Sequence, residues 1–140
     1  RLNYAVAGTP NRLEYDQGFF VKQGDGAADI KPIAHLYKTQ VYALAAHLGI
    51  PERIRVRPPT TDTYSLPQGQ DEFYFALPYA TLDLVLYGFN NGVPAQAVAE
   101  ATGLTAAQVR HAMKDIETKR STTRYQHLAP LMVEPIAGIG

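Results

Sequence analysis

Between Thr9 and Lys38 the sequence gathers an unusual density of groups able to handle phosphate or a metal ion. A short apolar stretch ends in Gly8-Thr9. It is followed by a carboxylate at Glu14, a lysine at Lys22, two aspartates in the glycine-rich run Gly24-Asp25-Gly26-Ala27-Ala28-Asp29, and a second lysine at Lys38. Carboxylates of this kind hold Mg²⁺, and lysines offset phosphate charge, so the chemistry suits a nucleotide. Placed at the carboxyl end of a parallel strand, these residues would lie where open α/β folds bind ligands. The same residue types are common on solvated surfaces, and composition alone leaves that reading open.

Other catalytic patterns are missing. Gly24-Asp25-Gly26 lacks the third glycine of a dinucleotide fingerprint, and no GxxxxGK(S/T) sequence occurs. The four histidines, at positions 35, 47, 111 and 127, are too dispersed to form a metal pair on one helix face, and His47 reads as part of a solvated helix flank. Ser65 and Ser121 have no base that the sequence positions beside them. With no cysteine there are no disulfides, thiolate metal sites or cysteine nucleophiles, which fits the cytosol without fixing the compartment.

The elements that must position these groups follow from periodicity. Leu2 to Ala7 reads as a buried strand, and Asn11 to Phe20 as a polar helical segment. Val41, Leu44, Ala45 and Leu48 recur at helical spacing, with Gly49 as the stop and Pro51 beyond it. Arg55 to Gln70, with Pro58, Pro59 and Pro67, reads as an extended loop, and Asp71 to Leu77 as a short helix ended by Pro78. Leu82, Val85 and Leu86 mark a helix ending near Gly88, and Ala95 to Ala101 another. Thr105 with Gln108 makes a capping box for a helix running to about Lys119, whose stripe is Val109, Ala112, Met113 and Ile116. The chain opens without methionine and runs directly into the expected strand, so we expect it to begin inside a larger domain.

At 140 residues the chain suits one domain with a real core. Thirteen basic and thirteen acidic residues cancel, which weakens a dedicated nucleic-acid role, and no apolar run approaches a bilayer span. One competing motif remains. Residues 91–124 have the rhythm of a helix-turn-helix, with Ala99, Gly103 and Val109 near packing and turn positions and Arg110, Lys114, Lys119, Arg120 and Arg124 as phosphate contacts. Ala106, Ala107 and Gln108 at the start of its second helix are a poor set for reading bases, and an ordinary αα-hairpin explains the same pattern. A purely structural, dimer-forming role for the helical segment is a further alternative.

Blocks Gly8-Thr9-Pro10-Asn11-Arg12-Leu13-Glu14 and Gly18-Phe19-Phe20-Val21-Lys22-Gln23-Gly24-Asp25-Gly26-Ala27-Ala28-Asp29-Ile30 resemble the NAD synthetase family closely. The likeness continues through Pro32-Ile33, Leu36-Tyr37-Lys38-Thr39-Gln40-Val41, Leu48-Gly49-Ile50-Pro51, Pro59-Thr60-Thr61-Asp62 and Gln70-Asp71-Glu72, in order over residues 5 to 83. The resemblance implies the C-terminal part of a Rossmann-like adenine-nucleotide α-hydrolase fold of the α/β class. This part would be mostly helical, with one or two parallel strands. Residues 1–70 would form its nucleotide and substrate segment and residues 71–140 its helical C-terminal segment. The implied activity is an amide ligase of the cytoplasm, usually a homodimer. It forms NAD from deamido-NAD, ATP and ammonia through an adenylated nicotinate, with Mg²⁺ and without nucleic-acid or membrane partners.

Carried over position by position, the resemblance puts Thr9, Lys38 and Thr60 on ATP, with Lys38 also the catalytic lysine that stabilises the leaving pyrophosphate. It puts Glu14 on Mg²⁺, and Lys22 and Asp29 on deamido-NAD. The sequence departs from the family in three ways. It contains no SGGxDS-type pyrophosphate loop, so these residues alone are expected to be inactive. Tyr125-Gln126 stands where the family has His-Lys, with Arg124 or His127 as substitutes. Residues 71–120 are longer and more helical than in common ammonia-dependent members.

Overall fold

The computed structural model describes residues 3–60, 68, 69 and 74–138. Among these the helices are α1 (Arg12–Gln17), α2 (Lys38–His47), α3 (Glu52–Arg55), α4 (Tyr79–Asn90), α5 (Ala95–Thr102) and α6 (Ala106–Thr123). A 3₁₀ turn at Arg124–His127 follows. Extended backbone before α1 pairs in parallel with the glycine-rich loop at a single bridge, Ala7 to Ile30, supported by Gly8 N donating to Ile30 O (2.8 Å) and Ile30 N to Val6 O (3.2 Å). The expected strand is present only as a short parallel contact, and residues 3–7 are exposed rather than buried, because among the described residues only this bridge pairs with them; Leu2 lies outside the described residues.

Local chemistry sets the helix ends. Asn11 Oδ1 accepts from the N–H groups of Leu13 (2.9 Å) and Glu14 (3.2 Å), while Glu14 Oε2 accepts from Asn11 N–H (2.9 Å), closing a capping box over α1. The helix ends three residues earlier than the sequence pattern predicts, because Gly18 turns left-handed at φ 72°. Gly18 is required sterically as well, since a Cβ there would collide with Thr123 of α6. At α6 the predicted box is present, with Gln108 N donating to Thr105 Oγ1 (3.2 Å) and Thr105 N to Gln108 Oε1 (2.8 Å).

The core belongs to the C-terminal helices. Leu82, Val85 and Leu86 of α4, Val98 and Ala99 of α5, and Val109, Ala112 and Ile116 of α6 pack together with Phe75 and Tyr79. Leu13 of α1, fully buried, ties the site segment into this cluster. Gly88, expected to end α4, lies inside it. The helix runs on to Asn90, and the missing side chain lets Val98 of α5 approach so closely that a Cβ would clash with it.

The arm formed by α2 and α3 is different. Helix α2 starts three residues before the predicted stripe, at Lys38, and has no buried residue. Leu44 and Leu48 of that stripe are exposed, as are Ile54 and Val56 around α3. The expected loop from Arg55 begins at the end of α3; its described part, to Thr60, is irregular, with an antiparallel bridge between Thr60 and Gly69. Residues 71–73 of the expected short helix before Pro78 fall outside the described residues.

Candidate active site

Three of the residues singled out in the sequence converge. Thr9 follows the parallel bridge, Glu14 projects from α1, and Lys38 opens α2. They line a cleft of about 290 Å³ together with Asn11, Phe19, Asp25 and Val41. Lys38 Nζ lies 3.7 Å from Glu14 Oε1, and both side chains are 15% exposed, so the pair is shielded from bulk water yet open to the cleft. The ammonium also lies 5.3 Å from the ring centroid of Tyr79 and 5.8 Å from that of Tyr42, where the aromatic faces favour a cation. Glu14 divides its work: Oε2 closes the α1 capping box while Oε1 faces Lys38.

A divalent cation fits this donor set in one manner only. Among the described residues no group of three His, Cys, Asp or Glu side chains converges, so no all-protein cage exists. Mg²⁺ is commonly bound by one or two carboxylates, with water and substrate phosphate filling its other positions. Glu14 Oε1 can serve in that way; Asp25, across the cleft, has one carboxylate oxygen accepting from Val21 N–H at 2.8 Å.

The other predicted site residues stand apart from this cleft. Lys22 Nζ donates to the backbone carbonyls of Tyr125 (2.9 Å) and Leu128, fastening the glycine-rich loop to the C-terminal turn. Asp29 Oδ2 accepts from Val6 N–H (2.8 Å), closing the loop onto the extended segment. Thr60 is half-buried at its bridge with Gly69 and does not line the cleft. The turn that carries Tyr125 and Gln126 also brings Arg124 and His127 to a second cleft of about 320 Å³, beside Arg12, Tyr15, Asp16 and Arg120. There His127 meets the rings of Tyr15 and Phe20 edge-on at 4.8 and 5.3 Å.

Sequence reasoning missed two contributors, both on α4. Tyr79 flanks the Lys38 ammonium, and buried Asp83 accepts hydrogen bonds from the first turn of α2. No sequence signal links them to Lys38, because the contacts span more than forty positions. Asn11 was legible in principle, since Asn11-x-x-Glu14 is a capping signature.

The α5–α6 pair has the geometry of an αα-hairpin packed on α4, with Gly103 left-handed at φ 73° and Ala99 and Val109 buried. Its basic residues are partly committed inside the molecule. Lys119 donates to Tyr74 O and Asp115, Arg120 to Asp16 and Asn90, and Lys114 to Glu117. That takes up Lys119 and Arg120 of the five basic residues, while Lys114 stays exposed beside Glu117. No helix among the described residues is long and apolar enough to cross a membrane.

The fold defines a class first. The backbone matches an NMN synthetase from Francisella tularensis with a TM-score of 0.69 at 27% identity, over 93% of this chain and 47% of that one. It matches an NH3-dependent NAD synthetase from Campylobacter jejuni with a TM-score of 0.59 at 21% identity, over 94% of this chain and 46% of that one. The architecture is therefore part of the fold shared by these synthetases. The chain belongs to the NAD synthase family, whose model matches residues 1–127. It is 68% identical to the NH(3)-dependent NAD(+) synthetase of Rhizobium meliloti over 99% of its own length, and spans 42% of that relative.

Proposed function

We propose that this chain forms the C-terminal part of an ammonia-dependent NAD synthetase, a ligase that turns deamido-NAD, ATP and ammonia into NAD, AMP and pyrophosphate. The observation that carries the reading is the shielded Glu14–Lys38 pair in a cleft beside Thr9, within a chain of this family. In the first step a nicotinate carboxylate oxygen attacks the α-phosphorus of ATP and pyrophosphate leaves. In the second, ammonia attacks the acyl carbon, the C–O bond to AMP breaks, and the nitrogen loses a proton to leave the amide.

Lys38 serves as the cation that offsets charge growing on the departing pyrophosphate, held ready in partial shielding where that charge is worth more than in water. Thr9 and Thr60 are the hydroxyls proposed for ATP. Glu14 would hold Mg²⁺, which when bound neutralises phosphate charge. Lys22 and Asp29 are the groups proposed for deamido-NAD; their bonds tie the glycine-rich loop to the C-terminal turn through Lys22 and to the extended segment through Asp29. Turnover belongs to the whole protein, because these 140 residues contain no SGGxDS-type loop. A homodimer working in the cytoplasm completes the proposal.

The test uses the full-length protein. NAD formation is followed from deamido-NAD, ATP, Mg²⁺ and ammonia, with glutamine as donor in parallel, for wild type, Glu14→Ala and Lys38→Met. Each substitution is expected to lower kcat about 100-fold or more while the far-ultraviolet spectrum stays unchanged. Absence of NAD formation by wild type with either donor overturns the proposal.

A further inference from the structure

Asp83 is a carboxylate only 5% exposed, and among the described residues its hydrogen bonds go to the start of one other helix. Its Oδ2 accepts from Thr39 N–H at 2.8 Å and from the Thr39 hydroxyl at 2.7 Å, and its Oδ1 accepts from Lys38 N–H at 3.3 Å. A buried charge is retained against its desolvation cost only where such donors satisfy it. Residue Tyr79, one turn earlier on the same helix, places its ring 5.3 Å from Lys38 Nζ. Thus α4 holds Lys38 at both ends, the backbone through Asp83 and the ammonium through Tyr79.

Apolar packing holds α2 only lightly: the helix itself has no fully buried residue, and its N-cap Tyr37 is half-buried against the core. Besides the Tyr79 contact, the ring of Tyr37 just ahead of α2 meets Tyr87 of α4 edge-on at 6.3 Å, a loose contact. The direction in which Lys38 points depends on how the first turn of α2 sits on α4, and Asp83 accepts three hydrogen bonds from that turn. We propose that Asp83 is a positioning residue for Lys38, aiming the ammonium at the nucleotide cleft. The inference rests on the reading of Lys38 as an ATP contact. It adds that the helical C-terminal segment, which places only the far side of that contact, helps to set affinity at the nucleotide site.

A double-mutant cycle on the full-length protein separates this role from a plain helix anchor. ATP affinity is measured by calorimetry, which needs no turnover, for wild type, Asp83→Asn, Lys38→Met and the double variant. Asp83→Asn keeps one acceptor oxygen and turns the other into an NH2 donor, so either Lys38 N–H or Thr39 N–H loses its acceptor. It is expected to weaken ATP binding about tenfold when Lys38 is present and less than about twofold in the Lys38→Met background. An equal loss in both backgrounds, or none in either, overturns the positioning role. If Lys38→Met alone leaves ATP affinity unchanged, the assignment of Lys38 to ATP fails instead, which the cycle displays separately. Should Asp83→Asn fail to fold, Thr39→Val, which deletes only the hydroxyl bond, replaces it. That variant is expected to weaken binding about threefold with Lys38 and not without it.

Discussion

The α4–α6 bundle and the α2–α3 arm are built on opposite principles. In the bundle, apolar residues at helical spacing meet one another and are excluded from water; Leu86, Val85 and Val109 are fully buried. In the arm, a comparable stripe on α2 leads nowhere among the described residues, and Leu48 is 65% exposed. The arm is held instead by polar and aromatic contacts that cross to the bundle, chiefly Asp83 on the α2 N-terminus. The neighbouring α1 combines both modes, with Leu13 in the core and Asp16 paired to Arg120. Positional accuracy at the candidate site thus comes from directional bonds, and cohesion from the core.

The largest contrast is expected from matched truncations. Leu86→Ala removes a fully buried side chain and should cost about 2–5 kcal/mol, read from urea unfolding of the full-length protein. Leu48→Ala should stay within about 0.5 kcal/mol if α2 is as exposed in the whole protein as it is here. A cost at Leu48 that rivals Leu86 breaks the comparison and shows that another part of the protein covers α2.

The polar tie between α1 and α6 should be worth less. Asp16, only 6% exposed at its side chain, accepts from Nε and Nη2 of Arg120, at 2.5 and 2.7 Å, and lies 3.2 Å from Arg12. Asp16→Ala leaves two guanidinium groups facing each other and should destabilise by about 1.5–3 kcal/mol. High salt should narrow the gap between wild type and variant, because screening weakens both the pairing and the new repulsion. A variant as stable as wild type would show that α1 is held by Leu13 and the bonds to Gln17 O without help from Asp16.

The smallest effect sharpens the comparison through pH. Burial, and next the charge of Asp115, raise the Tyr74 phenol above its usual value of 10.0. The folded state therefore favours the neutral phenol. Its contribution is complete below pH 10 and is lost as pH rises through the higher folded value. Tyr74 Oη donates to Gln17 O at 2.8 Å, so Tyr74→Phe should cost about 1 kcal/mol at neutral pH and flatten the alkaline decline. An identical alkaline decline in wild type and variant excludes Tyr74 as its source.

Short-range chemistry was legible in the residues themselves. The α6 capping box, the buried stripe from Val109 to Ile116 and the left-handed Gly49 all follow from contacts within a few positions, where covalent connectivity already limits the geometry. The likeness to the synthetases singled out Thr9, Glu14 and Lys38, which do meet in one cleft. Periodicity placed the end of α4 at Gly88, since a glycine reads the same whether it stops a helix or admits a neighbour. Nor does an apolar stripe such as Val41 to Leu48 reveal whether anything packs on it.

By itself, then, the sequence determined most of the helices, the α6 cap and the chemical types gathered near Thr9. The tertiary structure decided which of those groups share a cleft, that Lys22 and Asp29 fasten backbone segments, and that Asp83 and Tyr79 stand behind Lys38. The physical reason is range. A cap or a stripe is an interaction within one or two turns, whereas the Asp83 contacts join residues 44 and 45 positions apart and exist only once the core has brought α4 beside α2.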